Sequence, residues 1–333
     1  MAGPRRGVGR RAQAAGVAGT PGPASPTRSV AVRTADWLDD RLVAAVLAVG
    51  AVGAALPATG RNLDARGAID PTLAVLVLTA GFAVDLAGAR SVTVRLGRLV
   101  AALAVGSVCL PLLAWGISRA ATGAVRDAVL SVGVAPPEVA SLALTALAGG
   151  EVPVAAALLV ASSVVTVLAA GPVLALLAGG PVASSGMGLL GTLAVVVAAP
   201  LAVGVLLRRL SGDREPIVGA MRVAGGLSLL VLLWEVASQV HLEVVYLGAA
   251  GLLAAFLAGS GLLGAAVAAG VERSGRPGLV LPVAMRDFAV AAGIAAAAFG
   301  PAATGALGIY GLLVLVVGTL TARHTPRRPR TES

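Results

Sequence analysis

Residues 281–300 read LPVAMRDFAVAAGIAAAAFG and place two charged residues, Arg286 and Asp287, side by side in an otherwise apolar stretch. At the centre of a bilayer each such charge costs about 2.5 to 3.5 kcal/mol, whereas a Leu or Val returns only about 0.3 to 0.6 kcal/mol. Without partners the pair would cost roughly 5 to 7 kcal/mol. Both side chains must therefore face a partner or a watery cavity inside the protein.

The composition of the whole chain is that of an integral membrane protein. Of its 333 residues, 57% are hydrophobic and only 12% are charged, whereas soluble domains carry about 25% charged residues. The formal net charge is +9 and every basic residue is an arginine. Most arginines lie in the tails and in short loops between apolar stretches, which is the positive-inside pattern and argues against nucleic-acid binding.

The residues that carry most enzyme chemistry are scarce. Cys109 is the only cysteine and lies in an apolar stretch, so no disulfide framework exists. The two histidines, His241 and His324, give no metal-ligand spacing and no nucleophile triad. We therefore expect no enzyme activity, no bound metal and no cofactor.

A membrane-spanning helix needs about 20 mainly apolar residues, and ten segments of the chain meet this measure. In order they cover residues 40–57, 70–88, 98–119, 124–149, 151–178, 187–207, 217–239, 243–270, 276–299 and 302–322. Segments 4 and 9 are interrupted. Two alternatives stay open: the interrupted segments could be re-entrant pairs, or the loss of one weak segment could leave nine spans.

The arginines predict the orientation of the chain. Ten spans place both termini on one side, and the opposite side would carry only Arg61, Arg66, Arg119 and Arg126. Both termini are therefore expected in the cytoplasm, with the protein in the cell (inner or plasma) membrane.

Outside the spans, the chain is predicted to have two tails. Residues 1–36 are rich in Gly, Ala, Pro, Ser and Arg and should form a disordered basic tail. They lack the apolar core of a signal peptide. The transporter domain would cover residues 37–323, and residues 324–333 would form a second cytoplasmic tail.

Segments 4 and 9 share one pattern, an interruption followed by an acid. In segment 4, Pro136 and Pro137 lie near the centre and precede Glu138. Proline cannot donate a backbone hydrogen bond and blocks the helix before it. In segment 9, Pro277 and Pro282 precede the Arg–Asp pair.

The two segments also align with each other. EVASLALTALAGGEV, from residue 138, matches DFAVAAGIAAAAFGP, from residue 287, in its leading acid and its small-residue helix. The two copies are five segments apart in number, and a repeat with an odd number of spans has the opposite orientation in the membrane. Inverted repeats with broken helices that cross at the midplane are typical of secondary transporters. We predict repeats over about 37–179 and 186–323.

These stretches resemble the bile acid:sodium symporter family, which also includes the arsenite efflux permeases. The likeness runs over most of residues 40–322, and is clearest in APPEVASLALTALAGGEVPVAAALLVASS, from residue 135, and AMRDFAVAAGIAAAAFG, from residue 284. It implies an all-α polytopic membrane protein of ten transmembrane helices in two inverted five-helix repeats, with discontinuous helices 4 and 9 that cross. Helices 1, 2, 6 and 7 would form a panel domain and the others a core domain.

The resemblance also implies two sodium sites at the crossing, but this chain departs from their ligand pattern. Of the positions that match the family's sodium ligands, Ser141 keeps a hydroxyl. Four others are apolar: Leu142, Ala155, Leu159 and Pro282. Arg286 and Asp287 stand where the family has glutamine and asparagine after the methionine, here Met285. Sodium needs several oxygen ligands, so we predict that both sites are absent.

Arg286 could replace sodium as a tethered cation, with Glu138 and Asp287 as its partners. If all three were charged the site would carry a net charge of −1, and burial and repulsion would favour a proton on one acid. A proton could then couple transport. The other interpretation is a salt bridge that locks the crossing. The candidate substrate and coupling-ion residues are Glu138, Arg286, Asp287, Ser141, Pro136, Pro137, Pro282, Met285, Ser162 and Ser163.

The leading functional prediction is alternating-access transport of a small organic anion, because Arg286 and the positive N-termini of half-helices attract anions. The alternatives are a passive channel or permease and a non-transporting, receptor-like relative. Arsenite efflux ranks lower, because arsenite permeases use a cysteine in helix 4, where this chain has Ala135. The predicted partners are a small-molecule substrate and the lipid bilayer; the substrate's identity, the direction of transport and the oligomeric state stay open.

Overall fold

The computed structural model describes residues 29–56, 69–83, 95–179, 191, 194–212, 214–238, 244–273 and 275–324. Within these ranges every regular element is helical. Most of the predicted tails, together with Arg61, Arg66 and His241, lies outside the described residues.

We number the described helices α1 to α12 in chain order. They are α1 (Val30–Ala55), α2 (Ile69–Ala83), α3 (Leu96–Ser118), α4 (Gly123–Val134), α5 (Ala140–Leu147), α6 (Val152–Ala178), α7 (Ala194–Ser211), α8 (Glu215–Ala237), α9 (Val244–Val267), α10 (Pro277–Ala284), α11 (Phe288–Phe299) and α12 (Gly305–His324). A π-helical turn lies within α3 at Val105–Cys109 and another within α7 at Ala194–Ala198, and the 3-10 turn Pro301–Thr304 precedes α12.

The helices have the polarity of a membrane protein. Among the described residues, six helical stretches are long and apolar enough to span a bilayer: Leu96–Ser118, Val152–Ala178, Ala194–Ser211, Glu215–Glu235, Gly248–Val267 and Pro301–Ala322. Large apolar side chains face outward, with Leu176 80% exposed and Leu262 73% exposed, whereas Glu138 and Asp287 are buried. This distribution suits a lipid surround, because lipid solvates apolar side chains and penalises charges. The chain is a multi-pass membrane protein.

Two differences from the sequence prediction bear on the fold. The first helix begins at Val30, because Ser29 Oγ caps it by accepting the N–H of Val32 at 3.3 Å. Residues 30–36 are thus helical, although the sequence assigned them to the tail.

The second difference concerns the prolines of segment 9. Pro277 is the first residue of α10, where its missing N–H removes no helical hydrogen bond. Pro282 lies inside the last turn of the same helix. The helix is interrupted only after both prolines, at residues 285–287, so neither proline lies at the interruption.

Two groups of helices can be distinguished by their packing. In the first group, α1 packs mainly against α8, and α2 packs against α7 and α8. In the second, α9 packs against α10 and α12, α3 against α4, and α4 against α11 and α6. The first group contains the helices predicted for the panel domain, and both interrupted segments belong to the second.

Glycine brings α2 and α7 into backbone contact. A methyl group at Gly204 would collide with the backbone of Leu78 and Phe82, and small residues allow such close approach between membrane helices. We expect Gly204→Leu to destabilise the protein by roughly 1 to 3 kcal/mol, measured by thermal unfolding in detergent. The control is Gly251→Leu in α9, where an added side chain meets open space. Equal melting temperatures for the two variants would contradict this account.

Candidate functional site

The two interrupted segments contact each other at their interruptions, residues 135–139 and 285–287, and we call this contact the crossing. The chain leaves the helical conformation at residues 135–139, as the proline pair predicts, and again at residues 285–287. At the crossing the two stretches run antiparallel, with Pro137 opposite Arg286. The interruption at the proline pair is therefore confirmed, and the structure brings it against the Arg–Asp pair.

Reciprocal backbone hydrogen bonds hold the crossing together. The N–H of Glu138 donates to the carbonyl of Met285 at 2.8 Å, and the N–H of Asp287 donates to the carbonyl of Pro136 at 2.8 Å. Non-helical backbone at membrane depth must find its partners inside the protein. Each interruption supplies the donor and the acceptor that the other one lacks.

Hydroxyl groups from neighbouring helices satisfy the helix ends at the crossing. Thr166 Oγ1, in α6, donates to the carbonyl of Val134 at the end of α4, at 3.0 Å. Ser260 Oγ, in α9, donates to the carbonyl of Ala284 at the end of α10, at 2.8 Å. These bonds satisfy carbonyls that the helix terminations leave without intrahelical partners.

Both acids converge on the N-terminus of α11. Asp287 Oδ1 accepts the N–H groups of Ala289 and Val290, each at 2.9 Å, and Glu138 Oε2 accepts the N–H of Phe288 at 3.4 Å. The partial positive charge of a helix N-terminus stabilises a carboxylate. This half-helix end is thus satisfied by the protein's own acids, so it offers less to a substrate anion than the sequence suggested.

Arg286 is only 2% exposed, yet it is poorly satisfied. Its backbone N–H donates to Tyr310 Oη at 3.2 Å, and its Nη2 donates to the carbonyl of Gly106 at 3.4 Å. Its Nε is sealed without an acceptor. In the described part of the chain no ion pair joins Arg286 to Glu138 or Asp287. The arrangement is therefore not the salt bridge that the sequence offered as its second interpretation.

Two further buried oxygens at the crossing have no hydrogen-bond partner among the residues described. They are Glu138 Oε1 and Ser141 Oγ, both on fully buried side chains. Buried polar atoms are nearly always hydrogen-bonded. These two oxygens are therefore free to interact with a proton, a water or a ligand.

A small cavity adjoins the guanidinium of Arg286, between α3, α4 and α6. Its polar lining comes from Gly106, Ser107, Ser162 and Thr166, and its volume of about 20 Å³ suffices for one water or an ion of similar size. Gly106 lies in the π turn of α3, and a methyl group there would come within 3.3 Å of Nη1. The missing side chain therefore makes room for the guanidinium.

The structure places most of the predicted site residues together. The following lie at the crossing itself: Pro136, Pro137, Glu138, Met285, Arg286 and Asp287. Ser141 lies in the first turn of α5, and Pro282 in the last turn of α10. Ser162 lines the cavity, whereas the adjacent Ser163 is buried on α6 without lining it.

Sequence reasoning missed five contributors to the site: Tyr310, Thr166, Ser260, Gly106 and Ser107. Tyr310 had a usable signal, because it is one of two tyrosines in the chain and lies in an apolar segment, where its hydroxyl needs a partner. It is fully buried and packs edge to face on Phe256, with ring centroids 6.2 Å apart. Gly106 had no such signal, because a π turn cannot be read from the sequence.

Several positions where the resemblance places sodium ligands are packed as an apolar cluster. Leu142, Ala155 and Leu159 are buried together with Ala80 and Ala156. None of these side chains has an oxygen atom.

Away from the crossing, an ion pair joins the starts of α3 and α6. Arg95 Nε donates to Glu151 Oε2 at 2.6 Å, and Arg95 Nη2 donates to Oε1 of the same carboxylate. This hydrogen bonding raises the pKa of Arg95 above its ordinary value. The bidentate geometry fixes the α5–α6 turn against α3.

Comparison with protein families places part of the chain in a known family. Residues 70–249, which are 180 of the 333 residues and so more than half of the chain, match the family described as Sodium Bile acid symporter family. The matched range includes α4 and α5 and ends within α9. Comparison with curated proteins found no match.

Proposed function

The chain belongs to the sodium bile acid symporter family, and from this premise we propose that it carries a small organic anion across the membrane by alternating access. The observation that supports this most directly is the crossing, where Glu138, Arg286 and Asp287 are buried beside non-helical backbone. Intramembrane charges are costly and usually mark substrate or ion pathways. Irregular backbone at such depth is typical of transporter binding sites.

The proposed architecture is two inverted five-helix repeats, over about 37–179 and 186–323, with the interrupted segments as helices 4 and 9. The antiparallel pairing of the two interruptions supports this arrangement, since each one donates and accepts one equivalent hydrogen bond. We place both termini in the cytoplasm and the protein in the cell membrane, on the strength of the arginine distribution.

We infer that the transporter works without the family's sodium sites. The apolar cluster of Leu142, Ala155 and Leu159 supports this, because it offers no side-chain oxygen to a cation. Arg286 would supply a permanent positive charge at the crossing instead. Transport by the purified protein in liposomes should then be equal in sodium and in potassium medium.

The substrate is proposed to be an anion because Arg286 has donors to spare. Among the residues described at the crossing, it is the one cation, and a single hydrogen bond uses its guanidinium. A thermal-shift screen of the purified protein against organic acids, at two pH values and in sodium or potassium, would identify substrates for the flux assay.

A proton is the proposed coupling ion, with Glu138 as its carrier. Its Oε1 is buried without a partner and can take a proton without breaking a protein hydrogen bond. We expect uptake into liposomes to follow an imposed pH gradient, and Glu138→Gln to remove that dependence while keeping an oxygen for the N–H of Phe288. Glu151→Gln, in the ion pair away from the crossing, is the control.

The outcomes of this assay separate the alternatives. If uptake by Glu138→Gln still follows the pH gradient, Glu138 is not the proton carrier. Flux that never exceeds equilibration would indicate a passive permease. Ligand binding without any flux would indicate a receptor-like protein.

A further inference from the structure

We propose that the cavity beside Arg286 binds a small monovalent inorganic anion, such as chloride, which uses the N–H groups on the cavity side of the guanidinium, leaves the others to a substrate and is not itself transported. The cavity lies between α3, α4 and α6, within the second packing group of helices. The proposal goes beyond the transport function, because such an ion would be held whether or not the protein moves a substrate.

Arg286 carries a buried charge with few hydrogen-bond acceptors. A guanidinium carries five N–H donors and stays protonated in proteins. Of these donors, one has an acceptor, the carbonyl of Gly106 at 3.4 Å, and Nε is sealed with none. A buried charge is costly unless it is paired and hydrogen-bonded.

The acids near Arg286 do not supply the missing acceptors. Asp287 and Glu138 direct oxygens to the N–H groups that begin α11. Neither acid forms an ion pair with Arg286 in the described residues, and neither lines the cavity. The counter-charge for the guanidinium therefore has to come from the cavity side.

The cavity wall combines a few hydroxyl groups with apolar side chains. Ser107 and Ser162 contribute hydroxyl groups that no described hydrogen bond uses, whereas Thr166 already donates to the backbone. The remaining wall is largely apolar, with Pro111 and Val165 among its residues, and no acidic side chain lines it. One guanidinium, two free serine hydroxyls and a volume of about 20 Å³ suit a single halide-sized ion.

The test is thermal unfolding of the purified full-length protein in detergent, with potassium chloride titrated against potassium gluconate at constant ionic strength. Bromide and nitrate are titrated in parallel. We expect a saturable rise in melting temperature with chloride, no rise in Arg286→Gln, and a roughly tenfold higher half-saturating concentration in Ser162→Ala, because hydrogen bonds to charged groups are strong. Ser163→Ala, one residue away and outside the cavity lining, should titrate like the wild type.

Three outcomes would overturn the proposal. The first is a wild type without a saturable response to any of the three anions, and the second is the same response in wild type and Ser162→Ala. The third is acetate that competes with chloride and binds more tightly, which would assign the cavity to a substrate carboxylate. If Arg286→Gln does not fold, the chloride titrations of Ser162→Ala and Ser163→Ala still test the proposal. No flux is measured, so failure of the transport proposal would be seen separately.

Discussion

Arg286→Met is expected to abolish transport while leaving the protein at least as stable as the wild type. The guanidinium is buried, forms no ion pair among the described residues and has one weak side-chain hydrogen bond at 3.4 Å. Removing a buried charge that lacks a close partner relieves its desolvation cost and breaks little. An apolar side chain of similar length fits the same space.

The expected loss of transport follows from the role of Arg286 as the fixed positive charge of the crossing. A charge-assisted contact to an anionic substrate contributes about 2 to 5 kcal/mol, so flux at low substrate concentration should fall by at least about 30-fold. Flux into liposomes and thermal unfolding of the same preparation would be measured together. Arg286→Lys keeps the charge without the planar fork and should retain part of the flux.

Opposite directions for stability and flux are the signature of a residue kept for function. If Arg286→Met transported at the wild-type rate, Arg286 would be a structural residue. If it lost both flux and stability, its guanidinium would be part of the hydrogen bonding that holds α3 against the crossing.

The sequence predicts the location of the site better than its internal bonding. A proline pair within an apolar segment must end a helix, because neither residue can donate to the helical ladder, and α4 ends at Val134 just before Pro136. Charged residues in a second apolar segment must be buried in protein, and Arg286 and Asp287 are. Both arguments rest on local chemistry, because polar groups without partners are costly in a bilayer.

The same local arguments do not predict which side chains pair between distant segments. Opposite charges suggested an ion pair, yet Asp287 caps its own helix and Glu138 turns to the N–H of Phe288. Which of two partners a carboxylate takes depends on the relative placement of two backbones, and composition does not determine it. Proline was likewise a weaker guide in α10, where Pro282 lies within the last turn and the break follows later.

Asp287→Ala is expected to lose much of the protein's stability, because Asp287 caps α11. Asp287 Oδ1 accepts the N–H groups of Ala289 and Val290 at 2.9 Å each, in a fully buried position. Removing an N-cap costs about 0.5 to 2 kcal/mol, and each buried donor left without a partner costs about 1 to 3 kcal/mol. We expect a total loss of roughly 2 to 5 kcal/mol, measured by unfolding in detergent.

Asp287→Asn is the matched control, because asparagine caps helices as well as aspartate does. It keeps an oxygen for both N–H groups but carries no negative charge, so its stability should lie within about 1 kcal/mol of the wild type. If it also keeps pH-driven uptake, Asp287 is not the proton carrier and Glu138 is left as the acid that titrates. If the alanine variant unfolds like the asparagine variant, the two hydrogen bonds do not hold α11 in place, and the crossing must be stabilised by its backbone pairing alone.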